Sequence, residues 1–148
     1  MLAKSLVIFI SVGVSAGFFF GLFLVDVQDA SQVVYVDGPS ISITSEKYDY
    51  KKGEDIKIHI INSGNVPLFF QDTSYSLRVT GLSGMLIYSP TVTPALSKLE
   101  PKDDVEFTWN QTKNDGNTAL EGLYKIQVTG LDESKKKIES SITINIKK

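Results

Sequence analysis

Apolar residues follow two different patterns along this chain. From Ser5 to Val25 they run almost without interruption: 21 residues carry no charge, and 15 of them are Ala, Val, Ile, Leu or Phe. From Ser40 onward they alternate with polar residues. Ile56, Ile58 and Ile60 alternate with Lys57 and His59, Val105, Phe107 and Trp109 with Glu106 and Thr108, and Tyr124, Ile126 and Val128 with Lys125 and Gln127. A period of two is that of a half-buried strand. The same reading predicts strands around Ile41 and Ile43, over Val66–Phe70, up to Gly81 through Leu77 and Val79, over Met85–Tyr88, and along Ile138, Ile142, Ile144 and Ile146. Turn residues separate them at Lys51–Glu54, Asn62–Asn65, Asn114–Asn117 and 132–137. Thr91–Glu100 is ambiguous, because Ala95, Leu96 and Leu99 would also suit a single helical turn. Val33–Val36 is a candidate early strand, closed by Asp37-Gly38-Pro39. Roughly seven to eight short strands at this turn spacing predict an all-β, immunoglobulin-like β-sandwich, with a closed barrel as the alternative.

The first pattern predicts something else. A hydrocarbon core of about 30 Å takes roughly 20 apolar residues of helix. Residues 5–25 meet that length and stop at Asp26. The expected layout is an N-terminal transmembrane anchor over 1–25, a linker or stalk over 26–39, and the sandwich over 40–148. One alternative is a cleaved signal peptide with a secreted domain, although such apolar regions are shorter, about 7–15 residues. A buried soluble helix is another. Lys4 precedes the run, and an excess of Lys and Arg marks the cytoplasmic side. The N-terminus is therefore expected inside and the domain outside a cell membrane. Gly13, Gly17 and Gly21 share one helix face, where small residues let two backbones approach in lipid. Homo- or hetero-oligomer formation through that face is the expectation.

Composition narrows the chemistry. Setting aside Lys4, the chain beyond the apolar run holds 14 Lys+Arg against 17 Asp+Glu, a net charge of −3. A nucleic-acid binder would show a basic surplus. Cysteine is absent and His59 is the one histidine, which excludes disulfides, thiol nucleophiles and multi-histidine metal sites. Gly81-Leu82-Ser83-Gly84 is close to a nucleophile elbow, but Met85 takes the last glycine position and no helix follows. Asn114–Asn117 fails as a calcium loop: with Gly116 in place, Gln111, Lys113 and Gly122 fall at ligand positions. His59 is expected on the polar face of its strand, and Asp72, Asp103 and Asp104 are scattered loop acids. No enzyme, cofactor or metal is expected. Asn110-Gln111-Thr112 is a glycosylation sequon at a strand end, so Asn110 is a candidate modification site.

The run from Asn62 to Leu131 resembles the BsuPI-type intracellular proteinase inhibitor family. The resemblance rests on Asn62-Ser63-Gly64 before Val66–Phe70, on Tyr75–Val79, on Leu99-Glu100-Pro101-Lys102, and on Phe107-Thr108-Trp109, Asp115-Gly116-Asn117 and Gly122-Leu123-Tyr124. The last three pieces are also similar to the immunoglobulin-like module of flagellar hook-capping proteins. Lys102 stands where the pattern has glycine. The resemblance implies an immunoglobulin-like sandwich and, in function, proteinase inhibition. Read from the residues alone, Trp109 is a core plug, Gly122 opens a strand, and Tyr124 packs inward with its hydroxyl tied to a loop.

Together these readings give an expected function. The chain is a membrane-anchored extracytoplasmic binding module, an accessory or adhesion subunit of a cell-envelope complex with a protein partner. One alternative is an inhibitor acting through the Pro-rich loop Ser89–Lys102, with Ser89, Pro90, Pro94 and Leu96 as candidate contacts. Another, by layout alone, is a filament-associated component similar to archaellum stator proteins.

Overall fold

The computed structural model describes residues 32–148. The apolar run 5–25, with Gly13, Gly17 and Gly21, lies outside the described residues. Residues 33–148 form one compact unit made entirely of strands and turns. The smaller sheet has three strands, β1 (Ile41–Ser45), β3 (Ile56–Asn62) and β8 (Asp104–Trp109), in the order β1-β3-β8. The larger has seven: β2 (Asp49–Lys51), β4 (Leu68–Phe70), β5 (Arg78–Gly81), β6 (Leu86–Tyr88), β7 (Ser97–Leu99), β9 (Gly122–Leu131) and β10 (Lys137–Lys147). No strand pairing joins the two sheets, so the architecture is a sandwich and not the barrel alternative.

Alternation explains the core. On β3 every second residue, Ile56, Ile58 and Ile60, is fully buried, and each faces an inward residue of β8: Trp109, Phe107 and Val105. Tyr124, Ile126 and Val128 of β9 and Ile144 and Ile146 of β10 supply the opposite wall. Trp109 is buried between two tyrosines, stacked on Tyr88 at 5.8 Å and edge-on to Tyr124 at 5.7 Å. Its indole N–H donates to the Thr112 carbonyl at 2.9 Å. The Tyr124 hydroxyl donates to the Leu120 carbonyl at 2.6 Å, and burial raises its pKa. Both aromatic side chains therefore fill the core while their polar atoms are bonded, as buried Trp and Tyr require.

Ten strands replace the expected seven to eight. β2, not anticipated in the sequence, pairs in parallel with the end of β10 and leads into the expected turn at Lys51–Glu54. β7 pairs with β4 inside the ambiguous Thr91–Glu100 region, so the helical turn is absent there. Val33–Val36 is not a strand; it runs extended and largely exposed.

Antiparallel registers sort the turns into two ends. Ser40, the turn Asn62–Asn65, Pro101–Asp103 and the turn after Leu131 gather where the chain enters the sandwich. The turn after Lys51, the β5–β6 hairpin and the start of β9 gather at the far end.

Candidate interaction surface

The larger sheet is notched. β5 runs beside the first half of β9, and β4 touches only its end, at Phe69 and Leu131. Between them the chain leaves the sheet over residues 71–77 while β9 advances only from Leu131 to Gln127. The excursion is a turn segment with its own fastening. The Asp72 carboxylate accepts from the Ser74 hydroxyl at 2.5 Å and from the Ser74 N–H at 2.9 Å, and these bonds hold its pKa below the ordinary value. Tyr75 and Ser76 both adopt φ 54°, and the Tyr75 ring lies 4.7 Å from Phe70.

The uncovered sheet opens a groove of about 400 Å³, lined by Ser76, Arg78, Ser89, Pro90, Thr129 and Lys137 among others. The loop after β6 forms one wall and is pinned twice. The Ser89 N–H donates to Asn114 Oδ1 at 3.1 Å, and Thr93 exchanges hydrogen bonds with the Thr73 hydroxyl at 3.3 and 3.4 Å. Of the four loop residues singled out in sequence, Ser89 and Pro90 line the groove. Pro94 and Leu96 are exposed beyond it, Leu96 at 86%. The loop is shorter than expected: it ends at Leu96, because β7 follows and buries Leu99.

Asn110 is exposed, and its Oδ1 accepts from the Thr112 N–H at 3.0 Å. The middle residue of that sequon is structural. Gln111 is fully buried at φ 63°, donates to the carbonyls of Lys51 and Glu54 at 2.8 and 2.9 Å, and accepts from the Gly53 N–H at 2.9 Å. It thereby closes the β2–β3 turn. His59 lies on the outward face of β3, with its two ring nitrogens 3.5 Å from Asp104 and 3.4 Å from Glu106.

Sequence reasoning missed the far end. Leu82 is 70% exposed, Met85 66% and Leu120 69%, with Leu86 and Leu123 beside them in the chain also exposed. The Gly81–Tyr124 register places the β5–β6 hairpin next to the start of β9. Exposed apolar residues grouped in this way are candidates for contact with another molecule. The signal was present in Gly81-Leu82-Ser83-Gly84-Met85, where leucine and methionine occupy a glycine-bounded turn that requires neither.

No protein-family model matches the chain, and no curated protein matches its sequence. Among solved structures it is similar to the sporulation control protein Spo0M from Bacillus subtilis, at 12% identity over 76% of this chain, with a TM-score of 0.46. It spans about half of Spo0M, 51% of that chain. It is also similar to the sulfur carrier protein SoxY from Chlorobium limicola f thiosulfatophilum, at 12% identity over 84% of this chain and 96% of that one, with a TM-score of 0.44. A β-glucosidase from Listeria innocua follows at 9% identity, 73% of this chain, 16% of that one and a TM-score of 0.37. Likeness this distant says nothing of what the chain binds or does.

Proposed function

We propose that this chain is a membrane-anchored extracytoplasmic binding module, an accessory or adhesion subunit of a cell-envelope complex. Its sandwich is immunoglobulin-like and presents its far end to a protein partner. The observation that carries this reading is the exposure of Leu82, Met85 and Leu120 at the end opposite the one where residues 36–40 enter. A tethered binder is expected to turn its apolar end away from its tether. The immunoglobulin-like assignment is supported by Tyr124, near the start of its strand, whose hydroxyl bonds the backbone four residues upstream beside a buried tryptophan. The uncharged run 5–25 supports the anchor.

Protease added to spheroplasts tests the topology, and digestion of residues 32–148 is the expected result. Protection until the membrane is opened would place the domain on the other side. A photo-crosslinker at Leu82 is expected to trap a partner that one at Lys57 does not.

The pinned loop supports a second reading, proteinase inhibition of the BsuPI type. Bonds at Ser89 and Thr93 hold Pro94 and Leu96 out in one conformation, and preorganisation of this kind lowers the entropy lost on binding. Inhibition of a co-expressed protease that disappears with Leu96→Ala would favour it over the far-end reading.

A further inference from the structure

The two outer faces of the sandwich carry opposite charge. On the larger sheet, Arg78, Lys125 and Lys137 point outward beside Thr80, Thr129 and Glu139, because Val79, Tyr124, Ile126 and Val128 point in. Register sets Thr80 against Lys125 and Arg78 against Gln127, so the cations share one patch. Lys137 pairs with Glu139 at 2.7 Å, whereas Arg78 and Lys125 make no ion pair among the described residues. On the smaller sheet, Asp104 and Glu106 point outward from β8, and their contact within the domain is His59. Lys57, also outward, is occupied by Glu46 at 3.8 Å. The unpaired cations and the weakly paired anions of the sheet faces thus stand on opposite sides of one domain.

We infer that the cationic face formed by Arg78 and Lys125 receives a second copy of this chain through its Asp104–Glu106 face. The contact is heterologous, one face against a different one, and therefore propagates from copy to copy, as an open row or as a closed ring according to the rotation between copies. Copies related by translation across the sheets keep all their entry ends level, which suits chains tethered in one membrane. Complementary charge sets the register and rejects the flipped arrangement, in which like charges meet. A face of three short strands falls well below the roughly 800 Å² per partner of a stable interface. The association is therefore weak in dilute solution and depends on high local concentration, as on a surface.

A zero-length carbodiimide link between amine and carboxylate, made on the full chain in detergent micelles and mapped by mass spectrometry, tests this. Lys125 and Glu106 lie on opposite outer faces, so a bond between them forms only between copies. The expected result is a Lys125–Glu106 or Lys125–Asp104 link that is lost at 1 M salt, where the screening length is about 3 Å. Arg78→Glu with Lys125→Glu removes the Lys125 amine, reverses the charge of the patch and so removes face-to-face links, as does Asp104→Lys with Glu106→Lys. An equimolar mixture of the two double variants restores links between unlike copies, which shows that both still fold. Three results overturn the inference: no such link in the wild-type chain at any concentration, a link that survives 1 M salt, or variants that fail to restore it on mixing. Because the readout is a named bond, dimerisation through residues 5–25 alone gives a negative result, and the result stands apart from whether the far end binds a partner.

Discussion

The two ends of the sandwich both carry exposed apolar residues, Val34–Val36 at the entry and Leu82 and Met85 at the far end, but they differ in how their turns are hydrogen-bonded. At the entry end the polar side chains of the turn Asn62–Asn65 are all hydrogen-bonded. Asn62 donates to the carbonyls of Val66 and Leu99, both at 2.8 Å, and accepts from the Gly64 N–H at 3.0 Å. The Ser63 hydroxyl accepts from that of Ser42 and is hydrogen-bonded to that of Ser40, both at 2.8 Å; Val36, Gly38 and Ser40 share backbone bonds with residues 63–65, and the Gly38 N–H donates to Asn65 Oδ1. At the far end the polar atoms of the β5–β6 turn are bonded within the hairpin, while its leucine and methionine side chains stand in water. A turn rich in Asn, Ser and Gly looks functional in sequence and here is a fastening. A turn holding Leu and Met looks ordinary and here is the exposed surface. Polar residues at the surface signify little until their partners are counted, and apolar residues outside are informative only where they group together.

The sharpest way to break this contrast is to remove the fastening. Asn62→Ala strips partners from two buried carbonyls and one buried N–H. At about 1–3 kcal/mol per unsatisfied buried group, partly relieved by water, a loss of about 3 kcal/mol is expected in urea unfolding. Gly64→Ala comes next. An added Cβ would lie 2.1 Å from the Gly38 carbonyl oxygen and 2.8 Å from the Ser40 nitrogen, both backbone atoms. Either residues 36–40 lift away or the turn shifts, and a loss of about 2 kcal/mol follows from the usual range for overpacking. If Gly64→Ala leaves stability unchanged and residues 36–40 become protease-sensitive, those residues are a loose stalk. The entry end would then be no more fixed than the far one.

Lys102 sharpens the same end from the opposite direction. It sits at φ 69°, and its N–H donates to the Asn62 carbonyl at 3.0 Å. Lysine in this left-handed conformation carries backbone strain that glycine would not. Left-handed geometry costs a non-glycine residue about 1–2 kcal/mol, and glycine returns part of that through the greater freedom of the unfolded chain. Lys102→Gly should stabilise the domain by about 0.5 kcal/mol, a rise in the urea midpoint with an unchanged slope.

Much of this was readable in the residues because it is local. Alternation located eight strands, and the placement of Trp109, Gly122 and Tyr124 follows from spacing and from what indole and phenol need when buried. β2 and β7 were not readable, since three residues carry no period and their partners are distant: β2 pairs with Asn145–Lys147 and β7 with Leu68–Phe70. The groove was half readable. Prolines marked the Ser89–Leu96 loop, but bringing Arg78, Thr129 and Lys137 to its floor depends on long-range registers that no single segment encodes. The opposed charged faces depend on the same registers, and individual charges in an alternating strand do not reveal which of two faces they share.

The smallest expected change in stability belongs to the far end, and it decides whether the contrast has a function. Leu82 and Met85 contact water in the folded domain much as they do in the unfolded chain, so replacing both by serine removes little burial. Surface changes away from caps and cores usually stay within about 0.5 kcal/mol, and that is the expected limit for Leu82→Ser with Met85→Ser. The same pair should abolish trapping from the Leu82 region and lower the self-association of the domain at high concentration, because exposed apolar patches drive both. Each possible result has a distinct meaning. Loss of stability beyond about 1 kcal/mol would show that the hairpin tip packs against the domain and is not a free surface. Unchanged stability with unchanged partner trapping would leave the exposed leucines without a role and move the binding surface to the pinned loop at Leu96. Unchanged stability with lost trapping is the expected outcome. It would separate the two ends cleanly: substitutions at Asn62 and Gly64 act on folding alone, and substitutions at Leu82 and Met85 act on recognition alone.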